Sequence, residues 1–182
     1  MRRILLCLML VGLLGAPAEA GAVARPPVVK IALGKSDMPR DAIYFVQMSG
    51  YYPPRQLTGD TVPTGLTVRE LKAAGFRGLY VETFVRPKDS DFYVWQYIAL
   101  GSPRAAHQIF LDWARSFQYP FVQVARGPAM GDEWRYYHVV SLSSHNQGLL
   151  VRVGPYVVIG HYNTMGMVEH LMRLVVSRAR RG

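Results

Sequence analysis

Cysteine is almost missing from this chain: Cys7 is the only one, and it lies inside the opening apolar run. It follows only a few apolar residues and has no small residue before it, which argues against a lipid-modified cysteine. Beyond it there is no thiol, so no disulfide staples the fold and no cysteine nucleophile is available. Stability has to come from a packed core. Long apolar runs are scarce too. The single one, Ile4 to Leu14, is too short for a bilayer, which needs about 20 apolar residues. Acidic residues are few, 12 against 21 Lys and Arg, giving a net charge of +9. The chain has no G-x-S-x-G elbow, no phosphate-cradling glycine loop, no internal repeat and no low-complexity segment.

What is present starts at the N-terminus. Arg2 and Arg3 lead into the apolar run, which ends in Gly15-Ala16-Pro17 and Ala18-Glu19-Ala20. A basic start, a core of about 7–15 apolar residues and a small-x-small ending form a secretory signal peptide. The expected organisation is therefore a cleaved signal peptide over 1–20, an extended lead-in over 21–27 and one domain over 28–182. Cleavage leaves 162 residues with 19 basic and 11 acidic side chains, net +8. The expected location is secreted or periplasmic, with no transmembrane span once the signal is removed. A hydrophobic content of 50% with 18% charged residues belongs to a folded globule.

Along the domain, Val28 to Leu33 and Ala42 to Met48 read as strands, with breaks at Tyr51-Tyr52-Pro53-Pro54 and Gly59-Asp60. Thr67-Val68-Arg69-Glu70 fits a capping box for a short helix that stops at Gly75. Gly78–Arg86 and Asp91–Leu100 are β-rich runs joined by a turn at Pro87-Lys88-Asp89-Ser90. Ser102 caps a helix with Pro103 at its first position, running to about Phe117; Ala106, Ile109, Phe110, Trp113 and Phe117 share one face. Strands follow at Phe121–Ala125, Trp134–Leu142, Leu149–Val153 and Tyr156–Tyr162, the last two joined by a two-residue turn at Gly154-Pro155. A helix from about Thr164 to Arg180, apolar at Val168, Leu171, Met172, Val175 and Ala179, closes the core. The expected fold class is α+β: a mostly antiparallel sheet with two main helices packed on it.

The order of elements over residues 65–181 resembles small exported bacterial domains of the PsbP-like fold. The features that carry this are the helix after a hairpin, the Gly131-Asp132-Glu133 turn, the Leu149-Leu150-Val151-Arg152-Val153-Gly154 hairpin with Tyr156-Val157-Val158-Ile159, and the closing helix. The resemblance implies a non-enzymatic binding or assembly role and transfers no catalytic residue.

Aromatic density is the main functional signal. Tyr93, Trp95 and Tyr97 lie on one face of their strand and Phe92, Val94 and Ile98 on the other, so both faces are apolar. Such a strand belongs to a sheet covered on both sides, the favoured reading, or to an open aromatic platform for a sugar polymer or protein. The candidate binding residues are Tyr93, Trp95, Tyr97 and Trp134, with Arg152 and Arg173 as charged contacts. The expected partner is another envelope or extracellular protein, or an anionic polymer, and not nucleic acid.

The histidines at 107, 138, 145, 161 and 170 match no zinc spacing, and the Asp89-x-Asp91 pair reads as a solvated turn. Asp132 and Glu133 sit side by side at a strand start, which should send them to opposite faces; Asp132 is expected to hold the turn backbone. Ser141, Ser143 and Ser144 read as a hairpin connection. No catalytic residue, metal ligand or cofactor is assigned. The expected function is an exported, non-enzymatic binding or accessory domain. The alternative is a small extracytoplasmic hydrolase or metal-dependent enzyme, its site assembled from the histidines and Asp132-Glu133.

Overall fold

The computed structural model describes residues 26–87, 91–117, 122–140, 145–162 and 164–182. The expected signal peptide, most of the lead-in and the serine-rich connection lie outside these residues. The elements run α1 (Pro27–Ile31), β1 (Ile43–Tyr44), β2 (Gly50–Tyr52), α2 (Val68–Ala73), β3 (Gly78–Arg86), β4 (Asp91–Ala99), α3 (Pro103–Ser116), β5 (Val122–Ala125), β6 (Glu133–Val140), β7 (His145–Val153), β8 (Tyr156–Tyr162) and α4 (Met165–Arg181). The strands form one antiparallel sheet in the order β1-β3-β4-β8-β7-β6-β5, with β2 pairing β3 further along its length. The fold is α+β, as the sequence predicts.

Caps set the helix ends. Thr67 accepts a hydrogen bond from the Glu70 amide while the Glu70 carboxylate accepts from the Thr67 amide, a closed capping box for α2. Gly75 then ends the helix with φ of 66°. The Ser102 hydroxyl accepts from the Ala105 amide at the start of α3. Gly154 has φ of 55° between β7 and β8, and Pro155 cannot share a positive φ, which fits glycine in the first turn position.

Two cores sandwich the sheet. On one face, α1 and α4 bury Val28, Ile31, Val168, Leu171, Met172 and Val175 against Phe84, Tyr93, Trp95, Tyr97, Leu149 and Val158. On the other, α2 and α3 bury Leu71, Ala106, Ile109, Phe110 and Trp113 against Leu79, Ile98, Leu150, Val157 and Ile159. Helices on both faces explain a β4 that is apolar on both sides.

Two N-terminal expectations fail. Val28–Leu33 is not a strand: Pro27 starts a single turn of helix whose Val28 and Ile31, three residues apart, both face the core. Tertiary burial overrides the β preference of the valines. Ala42–Met48 is not one strand but the two-residue β1 followed by a 3₁₀ turn at Val46–Met48. The Ser49 side chain holds that turn, accepting from the Thr83 amide and donating to the Phe45 carbonyl. These short pieces pair with β3 and make a broken edge to the sheet.

Candidate functional site

Tyr93, Trp95 and Tyr97 are fully buried beneath α1 and α4. They belong to the core and offer no surface to a partner, which corrects their assignment as binding residues. Tyr93 stacks on Tyr162 with ring centroids 4.1 Å apart, and Trp95 lies alongside Tyr97. Trp95 sits directly opposite Gly160, and Tyr137 opposite Gly148. A Cβ on either glycine would run into the facing ring, so the glycines make room for the aromatics.

Trp134 behaves differently. It is 41% exposed on β6, and Val124 on β5 is 69% exposed. The register explains the tryptophan. β5 ends at Ala125, paired with Tyr136, so Glu133, Trp134 and Arg135 of β6 extend past it. Val124, Arg126, Gly127, Trp134, Arg135 and Tyr136 line a surface groove of about 420 Å³ at this step. Arg126 and Arg135 are exposed and make no ion pair among the described residues. Tyr136 donates from its hydroxyl to the Pro128 carbonyl at 3.0 Å, fixing the segment after β5 over its ring. Burial, reinforced by the nearby Glu169 carboxylate, pushes this phenol up to about 12. Arg173 on α4 lies 3.8 Å from Glu169, and its charge partly offsets the carboxylate's effect on that hydroxyl.

Arg152 is elsewhere and is occupied. Its guanidinium pairs with Glu133 and, at 3.1 Å, with Asp132. Asp132 precedes β6 in the turn at Gly131, where strand alternation does not apply, so both carboxylates reach one arginine; this corrects their expected divergence. Asp132 also accepts from the Gly154 amide at 2.8 Å, tying the β5–β6 turn to the β7–β8 turn. His107 on α3 lies 2.6 Å from the second oxygen of Glu133. It borders a groove of about 650 Å³ between α2 and α3. A histidine and an acid therefore meet at a groove, but Arg152 already holds the acid, and the only hydroxyl lining the groove, Ser102, caps α3. Among the described residues no three His, Asp or Glu side chains gather around one point.

One buried polar group has no motif around it in the sequence. Glu82 on β3 is 2% exposed within the α1/α4 core. Tyr97 donates to it at 2.8 Å, and the Leu33 amide donates to the Tyr97 oxygen at 3.1 Å. Burial pushes the Glu82 carboxyl up to about 8. Beside it Arg178 of α4 donates to the Ala32 carbonyl at 2.6 Å and to Asp37 at 2.8 Å. The cluster clasps the N-terminal segment to the sheet and to the last helix. Its trace in the sequence is an acid next to Thr83 inside the largely apolar Leu79–Val85 run.

These features define a three-layer α+β domain with helices on both sheet faces and, at one edge, a short strand β5 that ends before the exposed Trp134 of β6. No family model matches the chain, and no curated protein matches it. Among solved structures it is similar to the extracellular domain of PknH from Mycobacterium tuberculosis, with a TM-score of 0.55 and 12% identity over 88% of this chain and 98% of that one. At that identity the likeness is one of fold. Among the described residues no helix is long and apolar enough to cross a membrane.

Proposed function

We propose that this chain is an exported, non-enzymatic binding or accessory domain that docks on a protein of the envelope or extracellular space through the β5–β6 edge. The observation that carries the proposal is the contrast among the aromatics of the sheet. Tyr93, Trp95, Tyr97 and Tyr136 are buried, while Trp134 stands exposed beside unpaired arginines. A tryptophan with arginine neighbours is the composition typical of binding hot spots. The signal-like N-terminus supports export, and the fold shared with the extracellular domain of PknH agrees with it. The accessory role implied by the PsbP-like resemblance points the same way.

The test is capture with the full chain, tagged at its C-terminus and expressed with its own leader. The proposal predicts an exported product whose N-terminus is near Gly21, and one stoichiometric protein partner that Trp134→Ala loses. An intracellular product, or capture unchanged by Trp134→Ala, contradicts it. Retention of an anionic polymer instead of a protein would assign the arginine surface a different partner.

A further inference from the structure

Two edges bound the sheet, and they differ. At the β1/β2 edge the strands are two and three residues long, separated by a 3₁₀ turn and followed by Pro53-Pro54. Short strands and prolines are how folded proteins blunt an edge against pairing. β5 is also short, at four residues, and Gly127-Pro128 lies just beyond it, but the strand itself is unbroken. Its sequence, Val-Gln-Val-Ala, carries no charge and no proline, and no described strand pairs its outer side. Alternate residues of β5 direct their N–H and C=O groups toward β6, which leaves the others pointing outward.

We infer that β5 takes an added strand: an extended segment of the partner, rich in acidic residues, pairs with its outer edge. This rests on the docking reading above and specifies its chemistry. Side-chain placement sets the pattern. Val124 pairs with Tyr137, so its side chain lies on the α3 face. Arg135, two residues before Tyr137, lies on the same face of β6, and Arg126 follows one step beyond the Ala125–Tyr136 pair. An incoming strand therefore meets an apolar residue and then a doubly cationic one, two positions apart on one face. Its complement is apolar-x-acidic, with the acid level with Arg126 and Arg135. Charge decides against a second copy of this chain, because each copy brings the same arginines and the same positive net charge, +9 with the leader and +8 without it. In strand addition the main-chain hydrogen bonds supply affinity and the alternate side chains supply selectivity.

The experiment is selection of a displayed library of random peptides on the full-length protein, then binding measurements on the enriched sequences. The inference predicts enrichment of apolar-x-acidic peptides. N-methylation at alternate backbone positions should weaken an enriched peptide about fivefold per blocked hydrogen bond, and leave it unchanged at the intervening positions. Arg126→Glu with Arg135→Glu should weaken acidic peptides about tenfold or more and admit lysine-bearing ones. Both arginines are exposed, so the fold should tolerate this change, whereas a proline in β5 could fail by unfolding. Enrichment without an acidic preference, binding indifferent to N-methylation, no enrichment at all, or dimerisation through β5 would each overturn strand addition. If strand addition fails while partner capture still depends on Trp134, docking stands without it. If capture does not depend on Trp134, the docking reading itself falls.

Discussion

Trp95 shows what a large ring on a sheet requires of the strand opposite. Its indole occupies the space where Gly160 has no side chain, and Tyr137 uses Gly148 in the same way. We expect Gly160→Ala to cost about 1–3 kcal/mol, because the methyl group must displace a fully buried ring. Gly59→Ala, with open space around it, should change stability by less than about 0.5 kcal/mol; thermal denaturation of the pair checks this. Two titrating residues act in opposite directions. Burial lowers the His161 imidazole to about 4 and raises the Glu82 carboxyl to about 8. The histidine's contribution is complete above pH 6.5 and is lost as pH falls toward 4. The glutamate's is complete below 4.5 and is lost as pH rises through 8. Between 4.5 and 6.5 the two slopes offset each other, and between 6.5 and 8 the Glu82 slope, set beside Asp37, Arg178 and Tyr97, is no longer offset by His161. Stability should therefore fall by roughly 1–2 kcal/mol over that upper interval. Denaturant unfolding across this range should lose the decline in Glu82→Gln.

Among the elements, α1 depends most on its contacts. Five residues cannot hold a helix by propensity. Burial of Val28 and Ile31 and the clasp through Arg178, Asp37, Tyr97 and Glu82 hold it in place. We expect Arg178→Ala to lower the opening free energy of residues 27–34 by about 1–3 kcal/mol, read as faster hydrogen exchange there while β7 and β8 remain protected. The same contacts explain why this region misled the sequence analysis. Val28-Val29 favours a strand, and only the Val28/Ile31 spacing onto a core formed by distant residues makes it a helix. Elements with local signals were legible: the Thr67/Glu70 box, the Ser102-Pro103 start, the Gly154-Pro155 turn and the alternation of β3 and β4. The site was less so. Trp134 shares its sequence pattern with Tyr93, Trp95 and Tyr97, and what separates them is tertiary: β4 lies central in the sheet under α1 and α4, whereas β6 runs past the end of β5. Arg152 looked free until the turn brought Asp132 and Glu133 onto it.

At the scale of the whole molecule, the sheet has its faces covered by helices, one edge broken into short pieces, and one edge, β5, whose outer side no described strand pairs. Trp134→Ala should leave stability within about 0.5 kcal/mol of the parent, since its side chain is outside both cores, while abolishing partner capture. Trp95→Ala should instead cost about 3–5 kcal/mol, and any loss of capture in it would follow from unfolding. Docking that relies on Arg126 and Arg135 should also weaken as ionic strength rises from about 0.01 to 1 M, because screening shortens the reach of exposed charges.

The most direct test of the docking edge is hydrogen exchange of the full chain with and without its captured partner. The account predicts added protection confined to β5, the Arg126–Met130 segment and the start of β6, with the amides between α2 and α3 unchanged. Protection centred on the groove beside His107, or spread over the α4 surface with β5 unaffected, would contradict it.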